Sequence, residues 1–237
     1  MMLTRFKEQL SSLDISFRDN CLLAISGGVD SMVLIDLLHK SKIRFSIAHC
    51  NFNLREKESQ NDAAFVSSFS SKIDCNYFEA NFATDFYSNY KKISIQMAAS
   101  QLRYSWFNNL LEIYGFSKII TAHHLDDSLE TFVINLSRGT GLKGLLGIPA
   151  KKHHTNRPML IFSKEEIIAY AKKNRIKWRE DSTNKRLDYY RNLIRHDVTS
   201  KLKLIKPNFI ENFHNTIKRL SSSYKASYAL VKSFKQT

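Results

Sequence analysis

The stretch Ser26-Gly27-Gly28-Val29-Asp30-Ser31 restricts what this chain can fold into more than any other. The apolar run Cys21 to Ile25 before it reads as a buried strand, and Met32 to Leu38 after it reads as the start of a helix. On such a strand-to-helix turn, two consecutive glycines let the backbone bend tightly and approach a bound group. The unpaired N–H groups at the helix start, reinforced by the helix dipole, form an anion site that fits phosphate. No Lys precedes Ser31, so the loop is not of the Walker type and its charge must be neutralised otherwise. Asp30 would repel phosphate unless a divalent cation lay between them. The expectation is therefore pyrophosphate oxygens held by the Ser26 and Ser31 hydroxyls and the backbone amides of Ser26 to Ser31, with Asp30 as the Mg2+-side carboxylate. An ordinary turn with Asp30 or Ser31 as a helix cap is the plain alternative, and the apolar strand and helix on either side weigh against it.

Beyond this turn the chain alternates. Residues 4–12 read as a short amphipathic helix, Ile43 to His49 as a second strand and Leu54 to Phe69 as a helix, completing a βαβ unit. Asp74 to Phe82 is a weaker third strand and 83–93 a polar, tyrosine-bearing loop. Ile95 to Tyr114 carries helical periodicity with Met97, Leu102, Trp106 and Leu110 as core positions. Lys118 to Ala122 is a compact strand, and Asp126 to Leu136 a helix. The pattern predicts an α/β fold with a doubly wound, Rossmann-like parallel sheet and a helical C-terminal extension, in which Phe209, Phe213, Ile217 and Leu220 recur at spacings of three and four. Ligands of such sheets bind beyond the carboxyl ends of the strands, so Ser26–Ser31, His49–Asn53 and His123–Asp127 are expected to line one crevice.

Asp127 and Glu130 are three residues apart, on one face of a helix whose N-terminus favours negative charge. Two such carboxylates suit a cationic amine or a metal, or serve only as an acidic helix start. His123 and His124 lack further ligands at a zinc-like spacing. The glycines Gly139, Gly141, Gly144 and Gly147, interspersed with Arg138 and Lys143, read either as a connector or as a loop that closes over a nucleotide.

Charge is unevenly distributed. Residues 1–150 hold 15 basic and 15 acidic side chains, whereas residues 151–237 hold 21 and 7, so the whole net charge of +14 lies after residue 150. A basic segment joined to a neutral nucleotide domain fits a polyanion such as RNA, and fits a solvated lysine-rich surface as well. Cys21, Cys50 and Cys75 are scattered, without a CxxC pair, and read as buried thiols. No apolar run approaches the ~20 residues that cross a bilayer and the N-terminus lacks a secretory h-region, so the expectation is a cytoplasmic protein without membrane contact. Oligomeric state is open, a homodimer included.

The hexapeptide resembles the PP-loop of the ATP pyrophosphatase superfamily, the adenine nucleotide alpha hydrolase-like folds that cleave ATP between the α- and β-phosphates. A narrower resemblance rests on AHCNFNLR at 48–55, QLRY at 101–104, AHHLDDSLET at 122–131 and SRGTGLKGLLGIP at 137–149. RPML at 157–160, EDSTN at 180–184 and YYRNLIRHDV at 189–198 extend it. Together these are similar to the tRNA(Ile)-lysidine synthetase family from about residue 20 to about residue 204.

That resemblance implies a ligase that adenylates C2 of cytidine 34 in the CAU anticodon of tRNA(Ile) with ATP, then lets the ε-amine of free L-lysine displace AMP. It implies that Ser26, Gly27, Gly28, Val29, Asp30 and Ser31 hold ATP, that Asp127 and Glu130, with Arg103, bind lysine, and that Asp30, Asp127 and Arg191 are catalytic. Arg195, with Arg138 and Lys143, would meet phosphate and tRNA. It also implies a catalytic domain over residues 1–204 and a helical segment, 205–237, that opens a truncated tRNA-binding region. Phe52 departs from the family, where a second histidine is common, and is expected to stack near the nucleotide. Two further readings stay open: another PP-loop tRNA-modifying enzyme, and a truncated ATP- or RNA-binding chain without turnover.

Overall fold

The computed structural model of the protein describes residues 1–54, 56–179 and 189–234; the EDSTN block at 180–184 and Arg55 lie outside them. In chain order the elements are α1 (Met2–Ser12), β1 (Asn20–Ala24), α2 (Val29–Lys40), β2 (Arg44–Asn51), α3 (Glu56–Lys72), β3 (Tyr77–Asn81), α4 (Thr84–Lys91) and α5 (Ile95–Tyr114). There follow β4 (Lys118–Thr121), α6 (Leu125–Ser137), β5 (Lys151–Lys152), β6 (Thr155–Asn156), α7 (Lys164–Lys173), α8 (Tyr189–Leu193), α9 (Ser200–Ile205) and α10 (Phe209–Phe234). Contacts group the described residues into two compact units. One draws on Met1–His123, Ala150–Met159 and Glu165–Ser182, the other on His124–Pro149, Leu160–Lys164 and Thr183–Thr237.

The first unit is built on a six-stranded sheet in the order β3-β2-β1-β4-β6-β5. All neighbours are parallel except the β5–β6 pair. The chain steps outward from β1 to β2 to β3, then returns to the other side of β1 for β4. Right-handed crossovers therefore put α2 and α3 on one face and α5 on the other. Leu22, Ala48 and Ile119 face α5 and pack on Phe107, Leu110, Leu111 and Phe116, while Cys21, Leu23, Ile47 and Ile120 are buried on the opposite face. Burial on both faces is why these strands read as continuous apolar runs.

α5 has the bounds its periodicity predicts, because Ser94 accepts a hydrogen bond from Met97 N at 3.3 Å and Gly115 ends the helix at φ 66°. Its buried stripe is Ala98, Phe107, Leu110 and Leu111, which leaves Leu102 and Trp106 half-buried and Met97 52% exposed rather than in the core. The stretch 83–93, expected as a loop, contains α4. Its inward residues are hydroxyls: Thr84 donates to Phe52 O at 2.9 Å and Ser88 to Ile93 O at 2.6 Å. A helix anchored by buried hydroxyl groups carries no apolar period.

In the second unit α6 and α10 share an apolar core of Leu125, Leu129 and Phe213, with Phe132, Val133 and Ile217 against it. Phe132 meets Phe213 edge-on at 5.5 Å. The described part of 205–237 thus belongs to the same unit as α6. Among the described residues no helix is long and apolar enough to cross a membrane.

Candidate functional site

The phosphate loop lies in the first unit, at the point where strand order reverses between β1 and β4. Gly27 sits at φ 89°, where any side chain is strained, and a Cβ there would come within a tight 3.3 Å of Val66 Cγ2. Gly28 is the N-cap of α2. Ser31, 4% exposed, accepts from Gly27 N at 3.1 Å and donates to Gly28 O at 2.8 Å, while Ser26 Oγ accepts from Gly28 N at 3.3 Å. The serines therefore hold the turn in shape. Ser26 is exposed and Asp30 half-buried in the first turn of α2, where a carboxylate and a hydroxyl are the hard oxygen donors that Mg2+ prefers.

Neighbouring segments fix the loop from outside. Arg179 N donates to Gly27 O at 3.0 Å, and Arg179 Nε pairs with Asp62 on α3 at 2.5 Å. His49, 4% exposed, bonds through Nδ1 to Ile25 O at 2.9 Å, at the exit of β1. Neither tie was read from the sequence; the signal for His49 was its place in AHCNFNLR. Beside it, Phe52 stacks on Phe82 with centroids 5.6 Å apart, and the Arg103 guanidinium lies over the Phe52 ring at 5.6 Å and the Tyr104 ring at 5.9 Å. Arg103, expected with the lysine-binding carboxylates, thus stands in the first unit above an aromatic surface.

The acidic pair lies in the second unit. Asp127 caps its own helix, Oδ2 accepting from His124 N at 3.0 Å. Its Oδ1 is 3.5 Å from Nη2 of both Arg191 and Arg195. Glu130 is 2% exposed and takes Arg191 Nε at 2.8 Å on one oxygen and Arg195 Nε at 2.6 Å on the other. Arg195 Nη2 adds a bond to Glu130 Oε2 at 3.1 Å. Two carboxylates and two guanidinium groups form one ionic cluster, in which Glu130 is the buried centre. A π-turn, Ile194–Thr199, carries Arg195 toward it directly after α8 has placed Arg191.

Asp126, beside the pair, has a structural part that sequence reasoning missed: it accepts from Lys164 N at 2.8 Å, at the start of α7, and pairs with Lys203 of α9. The glycine series is likewise anchored. A Cβ on Gly147 would fall 2.2 Å from Ser128 Oγ, which also accepts from Ile148 N at 3.1 Å, and Asn135 donates to Gly144 O at 2.8 Å. Arg138 lies over the Tyr190 ring at 5.7 Å, and Lys143 is exposed on a 3-10 turn, Leu142–Leu146. Both present cationic groups at the surface.

The thiols are inert by comparison. Burial pushes Cys21 and Cys50 up to about 12 and Cys75 up to about 11. Cys21 is fully buried, while Cys50 and Cys75 are half-buried rather than enclosed as expected.

A glycine-turned anion loop at the switch point of a doubly wound sheet defines an α/β nucleotide-binding protein. The chain belongs to the PP-loop domain family, whose sequence model matches residues 2–202. Among curated proteins it is 40% identical over 203 residues to the tRNA(Ile)-lysidine synthase of Bacteroides thetaiotaomicron, covering 86% of this chain and 48% of that protein. It is 38% identical over 223 residues to that of Porphyromonas gingivalis, covering 85% and 49%, and 38% identical over 210 residues to that of Chlorobaculum tepidum, covering 86% and 62%. The chain spans about half the length of the first two of these relatives. Among solved structures, the U34-tRNA thiolase NcsA from Methanococcus maripaludis shares its fold, with a TM-score of 0.77 at 15% identity over 92% of this chain and 77% of that one.

Proposed function

We propose that this chain carries the catalytic part of a tRNA(Ile)-lysidine synthase, joining L-lysine to C2 of cytidine 34 in a CAU anticodon at the expense of ATP. The observation that carries this is the Glu130 cluster. Its members come from AHHLDDSLET and YYRNLIRHDV, two blocks that holding ATP does not by itself require, and they meet in one ionic group around the buried Glu130 carboxylate.

The chemistry divides between the units. In the first, Ser26 to Ser31 hold ATP through main-chain amides and hydroxyls, and Asp30 is the residue that would hold Mg2+, which supplies charge neutralisation at the departing pyrophosphate. In the second, Arg191 and Arg195 offer guanidinium groups to phosphate charge, and Asp127 and Glu130 offer carboxylates to the lysine ammonium groups. As long as the arginines rest on Glu130 the cluster is balanced. An anion that draws them off leaves two carboxylates for an incoming amine. Lysine must attack unprotonated although its free pKa is ~10.4, and Asp127, less enclosed than Glu130, is the group assigned to take that proton.

tRNA contact is assigned to Arg138, Lys143 and the basic second half of the chain. Lys218, Lys225 and Lys232, seven residues apart, share one face of α10 and support tRNA contact by this helix. A sulfur-transfer reaction like that named for the thiolase neighbour is disfavoured, because Cys21, Cys50 and Cys75 are scattered and offer no cysteine pair to handle sulfur.

The test is mass spectrometry of cytidine 34 after incubating the chain with a CAU-anticodon tRNA(Ile) transcript, ATP, Mg2+ and lysine. Lysine incorporation that Asp30→Ala reduces at least about 100-fold is expected, the scale for losing a charge-neutralising group at a transferring phosphate. Incorporation untouched by that change would remove the loop from the reaction.

A further inference from the structure

A cavity of about 690 Å3 opens on the α5 face of the sheet, wholly within the first unit. Its size suits a small organic ligand. One wall is a single face of α5, carrying Tyr104, Asn108, Leu111 and Glu112; the other is the β5–β6 hairpin and the residues just after it.

The hairpin supplies the positive charge. Lys152 pairs with Thr155 across a two-residue turn, His153-His154, with His153 at φ 51°. Three hydrogen bonds pin that turn: Ile119 N to His154 O at 2.8 Å, Asn156 Nδ2 to His154 O at 3.1 Å and Arg157 N to Ala150 O at 2.9 Å. Arg157, only 7% exposed, lines the cavity and donates to the Tyr104 hydroxyl at 3.5 Å. The hairpin backbone is thus set before any ligand arrives, and the lining gathers Lys152, Arg157 and two imidazoles against one carboxylate, Glu112. Such a concave surface with apolar backing focuses its field on an anion.

The rest of the lining fits what an anion of this size would carry. Leu111 and Phe116, 8% and 7% exposed, give an apolar wall against which a ring can lie. Glu112 and Asn108 offer an acceptor and an amide for hydroxyl and amino groups. The cavity shares no residue with Ser26–Ser31, which lead into α2 on the other face of the sheet. We propose that it is a second nucleotide site, binding a nucleoside monophosphate through its phosphate and base, either as a free molecule or as one residue of an RNA chain.

Calorimetric titration of AMP and CMP into the full chain, with a saturating non-hydrolysable ATP analogue already present, tests it. One equivalent of bound monophosphate is expected. The exposed double substitution Lys152→Ala, His154→Ala should weaken it about tenfold, the effect of removing charge-assisted contacts, while leaving the ATP analogue's affinity unchanged. Arg157→Met should weaken it further, with circular dichroism reporting whether that variant folds. Displacement of AMP by tRNA assigns the site to RNA, and failure of tRNA to compete assigns it to the free nucleotide. No binding beyond the ATP analogue, binding indifferent to the double substitution, or inorganic phosphate binding as tightly as AMP would each overturn the proposal. A failed Asp30→Ala experiment would leave it standing.

Discussion

The phosphate loop and the Glu130 cluster hold charge by opposite means. The loop is made of backbone: a glycine at φ 89°, two serines bonded to neighbouring amides and carbonyls, and amides at a helix start, all within six consecutive residues. The cluster is made of side chains, joining Asp127 and Glu130 to arginines more than sixty residues further along. A backbone site tolerates little change in shape but needs no distant partner. A side-chain site depends on long-range folding, and each partner is costly to remove alone.

That contrast is sharpest at Glu130. Glu130→Ala should lower stability by about 2–3 kcal/mol, less than for a fully enclosed pair because both arginine side chains keep about a third of their surface in solvent. Denaturant titration would show it, and Glu130→Gln should recover part. An unchanged midpoint would mean that the cluster is not a structural unit. Gly27→Ala should cost about 2 kcal/mol from strain at positive φ, together with a marked loss of affinity for ATP. Retained affinity would break the idea that backbone shape makes the loop.

Smaller effects follow from pH. Burial, with a contribution from Asp19, raises Cys21 to about 12 from 9.0. Its neutral form is the folded one, so its contribution is complete below pH 9 and is lost as pH rises toward 12. Alkaline unfolding curves of wild type and Cys21→Ala should diverge in that window. At the acid end, burial alone would raise Asp19, but the hydrogen bond from Lys118, with Ser16 N and Ser117 Oγ, holds it below the usual range. That contribution is complete above the ordinary carboxylate value of about 3.9 and fades as pH falls below it. Lys118→Met should flatten the acid limb of the stability profile, the smallest of these changes.

The same contrast explains what the sequence disclosed. Strands β1, β2 and β4 and helix α5 were legible because they bury apolar side chains with a clear period or begin and end at Ser94 and Gly115. The loop was legible because it is contiguous. α4 was not, since Thr84 and Ser88 fasten it through hydroxyls. The β5–β6 hairpin was not either: Lys-Lys and Thr-Asn have no strand character, and they pair because β4 offers an edge. Spacing put Asp127 and Glu130 on one helix face, yet it could not show that Arg191 and Arg195 already rest there.

The π-turn at Ile194–Thr199 has an evolutionary corollary. It amounts to one residue more than an α-helix needs, and loss of a single codon there would relax the segment into the commoner helical form. Such a deletion would rotate everything after it by roughly a quarter turn. Lineages in which this stretch is one residue shorter should therefore have abandoned the ammonium at 203, which pairs with Asp126 from beyond the turn, or found it a new anchor.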